Sequence, residues 1–238
     1  LALIGRTPRS IDPGRYRVFL SPTAVRELLG LLSWDSFGLR GIRTCQSALT
    51  RLAQGKDRLH PCFRLRENTA DGVAAGFQKD GFIKPDAVEL VTAGVHANAL
   101  VSPRSSKEYG VANNGASDAE APMSLDLDAG TLHDEDVLAE LGTGVLINNL
   151  WYTNFSDRSN GRITGMTRFA TLWVEDGEIV APLNVMRFDD TLYKMFGDNL
   201  VGLTQKRDLI LDADTYFRRS TSCVRLPGAL IDDFSFTL

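Results

Sequence analysis

Three histidines and three cysteines are all that 238 residues provide in imidazole bases and thiol ligands. His60, His96 and His133 lie far apart, with no HExxH or HxH spacing. Cys45, Cys62 and Cys223 form no CxxC pair. Spacings of that kind bring ligands to one metal ion, so the chain shows no metal signature of its own. Three thiols cannot pair completely, and a reduced, cytoplasmic setting is expected. No apolar run reaches membrane-spanning length. The opening LALIGRTPRS is too short an apolar stretch for a secretory leader. A basic excess is missing too: 26 Lys and Arg face 30 Asp and Glu, for a net charge of -4. With no dense Lys/Arg stripe, unassisted nucleic-acid binding is not expected. GxSxG, GxxxxGK[ST] and a GxGxxG after a strand are all absent. Gly142-Thr143-Gly144 reads as a helix stop rather than a phosphate cradle. The chain begins at Leu1 in mid-pattern, as the C-terminal part of a longer protein would.

The residues present describe a packed α+β protein. Hydrophobic residues make up 43% and charged residues 24%, enough apolar material for one substantial domain over residues 1–238. Residues 15–20 read as a strand. Ser21-Pro22 then opens a helix, with Ser at the cap and Pro at the first helical position. Its buried stripe is Val25, Leu28, Leu29, Leu31 and Leu32. A second short helix is expected near 47–53. Residues 54–70 read as polar and irregular, and 86–92 as extended. Residues 102–124 read as a long exposed loop with a turn at Asn113-Asn114-Gly115. His133-Asp134-Glu135-Asp136 is an acidic helix start rather than a metal cluster. That helix buries Val137, Leu138 and Leu141 and stops at Gly142. Residues 145–152 form a strand. A hairpin over 169–183 turns at Asp176-Gly177, with Pro182 at an edge or bulge. Asp190 is expected to cap a helix that closes near Gly197. Residues 229–236 are a final strand.

Two regions could carry chemistry. With glycines at 161 and 165, Arg162, Thr164, Thr167 and Arg168 look like a loop able to offer amides and guanidinium groups to a carboxylate or a peptide. The same arginines could pair internally with Asp157, Glu175 or Asp189, with Arg187 close by, and arginines near carboxylates usually do. Cys223 follows Arg218 and Arg219, whose charge would favour a reactive thiolate; the alternative is a plain semi-buried cysteine.

Several stretches together carry a family likeness: PGRYRVFLSP (13–22), NLWYTN (149–154), Asp157 to Gly165, VEDGEIVAP (174–182) and LPGALIDDF (226–234). In this order they resemble the C-terminal domain of the TldD/PmbA family, once called modulators of DNA gyrase. The resemblance implies a strand-rich α+β fold, largely an antiparallel sheet with a few packed helices, and a preceding α/β domain. It also implies a peptidase context. TldD-type members carry zinc on HExxxH plus a later cysteine, and act on unfolded or short peptides in a dimer with a PmbA-type (TldE-type) partner that lacks the motif. Here the motif falls on Ser21-Pro22-Thr23-Ala24-Val25-Arg26, with neither histidine nor the glutamate. Cys223 lies too close to the closing strand to be carried over as the ligand cysteine.

The resemblance thus implies a TldE-like subunit with no catalytic or metal residue of its own. Zinc is expected only on a TldD-like partner. Asp157, Arg162, Thr164, Thr167, Arg168, Arg187 and Asp189 become candidates for substrate or interface contact, and Cys223 the candidate reactive thiol. An open sheet edge near Pro182 could take an extended peptide by strand addition. Two alternatives stay open: a homodimeric peptide-binding module, and a hydrolase that depends on Cys223.

Overall fold

The computed structural model describes residues 5–215 and 219–237. Strand β1 (Gly14–Leu20) runs into helix α1 (Pro22–Leu32). Ser21 makes that junction. Its hydroxyl accepts from the Ala24 amide at 3.3 Å and donates to the Asn148 carbonyl at 2.8 Å. One side chain therefore caps the helix and ties it to the sheet. All five predicted apolar positions of α1 are buried, together with Ala24. Two short helices follow, α2 (Leu39–Arg43) and α3 (Thr50–Ala53). Next come β2 (Leu65–Asn68), β3 (Ala87–Thr92), β4 (Val95–His96), α4 (Pro103–Tyr109) and β5 (Ser124–Leu127). The acidic start is a 3-10 turn over Asp134–Asp136 that leads into α5 (Val137–Leu141). Two 14-residue strands, β6 (Gly144–Asp157) and β7 (Arg162–Glu175), precede β8 (Glu178–Pro182) and β9 (Arg187–Thr191). A π-helical turn at Lys194–Asp198 leads to β10 (Leu200–Leu211), and β11 (Cys223–Phe236) is the last strand.

The strands belong to one sheet that closes on itself. β1 pairs β6, β6 pairs β7, β7 pairs β9, β9 meets β11 at Phe188 and Phe236, and β11 returns to β1. β10 also lies along β11, and a side branch runs from β11 through β5, β2 and β3 to β4. Only β1–β6 and β11–β5 are parallel; the other pairings are antiparallel, as expected. Helix α1 packs on β6 and β11. Around the closure, Phe234 stands 5.2 Å from both Phe188 and Phe236 between ring centroids, and Tyr16 bridges Phe236 and Trp173.

Several segments depart from the sequence expectation. Residues 54–70 contain β2, in which charged residues hide a strand. Glu67 is buried because its carboxylate accepts from the Met123 and Ser124 amides and faces Lys84 at 3.4 Å. Residues 102–124 are not an exposed loop. They hold α4, and buried Glu120 accepts from the Ser102 amide, the Ser102 hydroxyl and the Arg40 amide, each at 2.9 Å. The Arg162–Arg168 stretch is not a loop but the first half of β7. Asp190 is not a helix cap. It lies in β9 and accepts from the Ser235 amide, while the Thr191 hydroxyl caps the following turn through the Lys194 amide. The edge near Pro182 is occupied: the Arg9 amide donates to the Pro182 carbonyl, and the Asn184 amide to Arg9. That end of β8 is paired within the chain.

At the far edge of the side branch, β4 places the Nε2 of His96 in a buried position with no hydrogen-bond partner among the described residues. Burial pushes the His96 imidazole below its ordinary value. As pH falls below about 6.5, the unfolded chain takes up the proton first. The stability contributed by the neutral ring is therefore complete above that pH and is lost as the solution is acidified. The thermal midpoint is expected to fall between pH 7.5 and pH 5.5, and to fall less in His96→Gln. Equal slopes in the two proteins would contradict this assignment.

Candidate functional site

The largest feature on α1 is a cavity of about 360 Å³ on the side facing away from the core. Arg26, Glu27 and Gly30 line it from the helix, Thr153 from β6, and Asp212 and Cys223 from the ends of β10 and β11. Trp34 stands at its rim, 69% exposed. Arg26 is one of the lining residues. It reaches Glu27 at 3.2 Å and Asp212 at 3.8 Å. Burial pushes the Glu27 carboxyl up, against the pull of Arg26. The wall thus offers a guanidinium between two carboxylates, an arrangement that can take both a donor and an acceptor from an extended backbone.

Gly30 keeps this space open. A Cβ built there meets no heavy atom within 4 Å. Glycine inside a helix costs about 1 kcal/mol relative to alanine. Gly30→Ala is therefore expected to raise stability by up to about 1 kcal/mol, seen as a higher urea midpoint. A lower midpoint would mean that the helix needs glycine there for another reason.

The predicted residues of β7 and β9 are largely absorbed by the sheet. Thr164 donates to the Phe188 carbonyl at 2.9 Å and accepts from Arg187 at 3.4 Å. The Thr167 hydroxyl accepts from the Met186 amide at 3.0 Å. Arg162 is paired with Asp189. Asp157 closes the tight β6–β7 turn, where Asn160 and Ser159 hold its carboxyl below the usual range. Arg168 differs. Its guanidinium lies 4.3 Å over Trp151 and 4.8 Å over Phe169. Phe169 is 67% exposed and, like Ala170, has a φ of 44°. This bulge sits where the β6–β7 register shifts and turns an aromatic cluster toward solvent.

Cys223 is buried, not poised at the surface. Its sulfur lies 3.4 Å from both the Val73 amide and the Ser124 hydroxyl. Arg218, one of the arginines expected beside it, lies outside the described residues. The thiol with an imidazole neighbour is Cys62, whose sulfur is 2.9 Å from the Nδ1 of His60. The sequence reading passed over that pair, although only Pro61 separates them. It also missed Asp212 and Thr153, which approach Arg26 only through the sheet.

A strand-rich α+β fold with a closed sheet and a single long helix beside a cavity defines the class of protein. The family follows from comparison. Residues 13–238 match the model of the PmbA/TldA metallopeptidase C-terminal domain, and the chain belongs to this PmbA/TldD family. Its fold is similar to that of TldE from Thermococcus kodakarensis, at 14% identity and a TM-score of 0.79, over 98% of this chain and 52% of that one. It is also similar to a Thermotoga maritima protein named as a candidate modulator of DNA gyrase: 16% identity, TM-score 0.78, 97% and 51% covered. A Bacteroides thetaiotaomicron protein named in the same way gives 16% identity, TM-score 0.78, 99% and 49%. The chain spans about half the length of each. No curated protein sequence matches it significantly.

The family description speaks of a metallopeptidase, and a zinc ion does not fit the residues found here. Where the β1–α1 junction leads into the cavity, the Ser21 hydroxyl is committed to its cap and to Asn148, Pro22 offers no ligand atom, and Arg26 brings a positive charge. A zinc ion needs neutral imidazole, thiolate or carboxylate ligands and is repelled by a guanidinium. Among the described residues, no three His, Cys, Asp or Glu side chains come together in a metal-holding group. Among the described residues, no helix is long and apolar enough to cross a membrane.

Proposed function

We propose that this chain is the non-catalytic, TldE-like subunit of a peptide-degrading assembly, with zinc chemistry supplied by an HExxxH-bearing, TldD-like partner. The observation that carries this reading is Arg26. It lines the cavity beside α1, held between Glu27 and Asp212, and the sequence resemblance would put the second motif histidine there. That wall suits a subunit that shapes and lines a chamber for a short or unfolded peptide. The likeness in fold to TldE from Thermococcus kodakarensis supports this reading. The exposed Arg168–Trp151–Phe169 cluster is the face we assign to the partner, because aromatic and arginine side chains anchor protein interfaces. Three unpaired cysteines agree with a cytoplasmic setting.

The test is a tagged pull-down of the full-length protein from its native cells, with bound proteins identified and zinc quantified. Equal recovery of a zinc-loaded, HExxxH-bearing relative is expected. Recovery of the protein alone and without metal would overturn the assignment and favour a homodimeric peptide-binding module. Gly30→Trp adds a second readout: filling the cavity should lower the assembly's peptidase rate several-fold without separating the subunits.

A further inference from the structure

Away from α1, a second cavity of about 540 Å³ opens between the loop after α3 and the turn after β9. Arg51, Lys56 and Arg58 line one wall and Lys194 the other, against Asp57 and Asp198. Four cations to two carboxylates is a local reversal of sign in a chain whose net charge is -4. Arg51 already holds Asp57. Lys56, Arg58 and Lys194 are exposed, and none makes an ion pair among the described residues. Like charges held in one concavity repel one another when it is empty, and an anion relieves that repulsion.

The walls are fixed rather than loose. The Tyr193 hydroxyl donates to the Ala48 carbonyl at 2.9 Å, and the His60 amide donates to the Phe196 carbonyl at 2.8 Å. These bonds tie the turn carrying Lys194 to the segments on either side of the Lys56–Arg58 loop. On that loop, Gly55 takes a φ of 67° and the Lys56 amide donates to Arg51 at 2.9 Å. The cations therefore face a common space without a large ordering cost.

We propose that this cavity binds an oxyanion, a carboxylate or a phosphate group, through Lys56, Arg58 and Lys194. Arginine offers a planar fork and lysine a point charge, and together they suit a tetrahedral or planar oxyanion better than any neutral ligand. The site does not depend on the peptidase reading, and its failure would leave that reading untouched.

Calorimetric titration of the full chain at low ionic strength tests it with three probes: inorganic phosphate, a short peptide with a free C-terminal carboxylate, and the same peptide amidated. Saturable binding of at least one anionic probe is expected, weakened at least tenfold in Arg58→Ala/Lys194→Ala and by added salt. Phosphate binding alone would identify a phosphate ligand. Binding of the free-acid peptide but not its amidated twin would identify a carboxylate. Both variant side chains are exposed and unpaired, so the thermal midpoint should not change, and Arg104→Ala on α4 should bind as the parent does. No saturable binding, or equal loss in Arg104→Ala, would overturn the proposal.

Discussion

Replacing Phe234 with alanine is expected to cost about 3–5 kcal/mol of stability. Three features set the size of that effect. The ring is fully buried. It touches Phe188 of β9 and Phe236 of β11, both with centroids 5.2 Å away. Its backbone pairs with Tyr16 of β1, at the point where the sheet closes. A cavity there cannot collapse easily, since strands on both sides are held by their own hydrogen bonds. Urea unfolding provides the measurement. Phe169→Ala, which removes a ring of the same size from an exposed position, should stay within about 0.5 kcal/mol of the parent. A loss below about 1 kcal/mol for Phe234→Ala would mean that the closure is not packed as described.

Asp126→Ala is expected to cost about 3 kcal/mol, the lower end of the range for breaking a buried ion pair. The carboxylate is 5% exposed. One oxygen faces Arg207 and, at 3.8 Å, Arg66; the other accepts from Asn68 at 2.9 Å. Removing it leaves two guanidinium groups and an amide around an apolar methyl. The loss stays at the lower end because Arg66 keeps Asp128 and Arg207 keeps the Leu127 carbonyl at 3.2 Å. Arg207→Met in the same chain should recover part of the loss, since the cost lies in stranding a charge rather than in losing the pair. A double variant no more stable than Asp126→Ala would assign the loss to β5 packing instead.

Local chemistry was readable wherever it was self-contained. Ser21-Pro22 marked a helix start because cap and proline act within one turn. Asp176-Gly177 marked a hairpin because both residues need positive φ, found here at 49° and 79°. The apolar stripe of α1 needed only its own period. The misreadings arose where distant residues decide. Gly165 suggested a loop, yet it lies in a strand, where a Cβ would come within 2.7 Å of the Phe188 ring. That glycine makes room for aromatic packing. β10 went unread because QKRD interrupts its apolar residues, and the contacts that hold it come from β11. Glu67 and Glu120 looked like surface carboxylates, since nothing nearby in sequence announces the backbone amides that bind them.

The same limit applies to the cavity beside α1. Arg26, Glu27 and Gly30 form a polar stripe opposite the leucines and could have been singled out as a functional face. Asp212, Thr153 and Cys223 could not, because only the sheet brings them there.

β11 also constrains the order of events during synthesis. It pairs with β1, β5, β9 and β10, all of which leave the ribosome earlier. Those four strands must wait with open edges until the last eleventh of the fold's strands emerges, and the contacts it completes span nearly the whole chain. Such long-range closure is slow, and unpaired edges are sticky while they wait. A nascent chain stalled before residue 223 is thus expected to be protease-sensitive and dependent on chaperones, and release of the final strand to convert it abruptly into a resistant form.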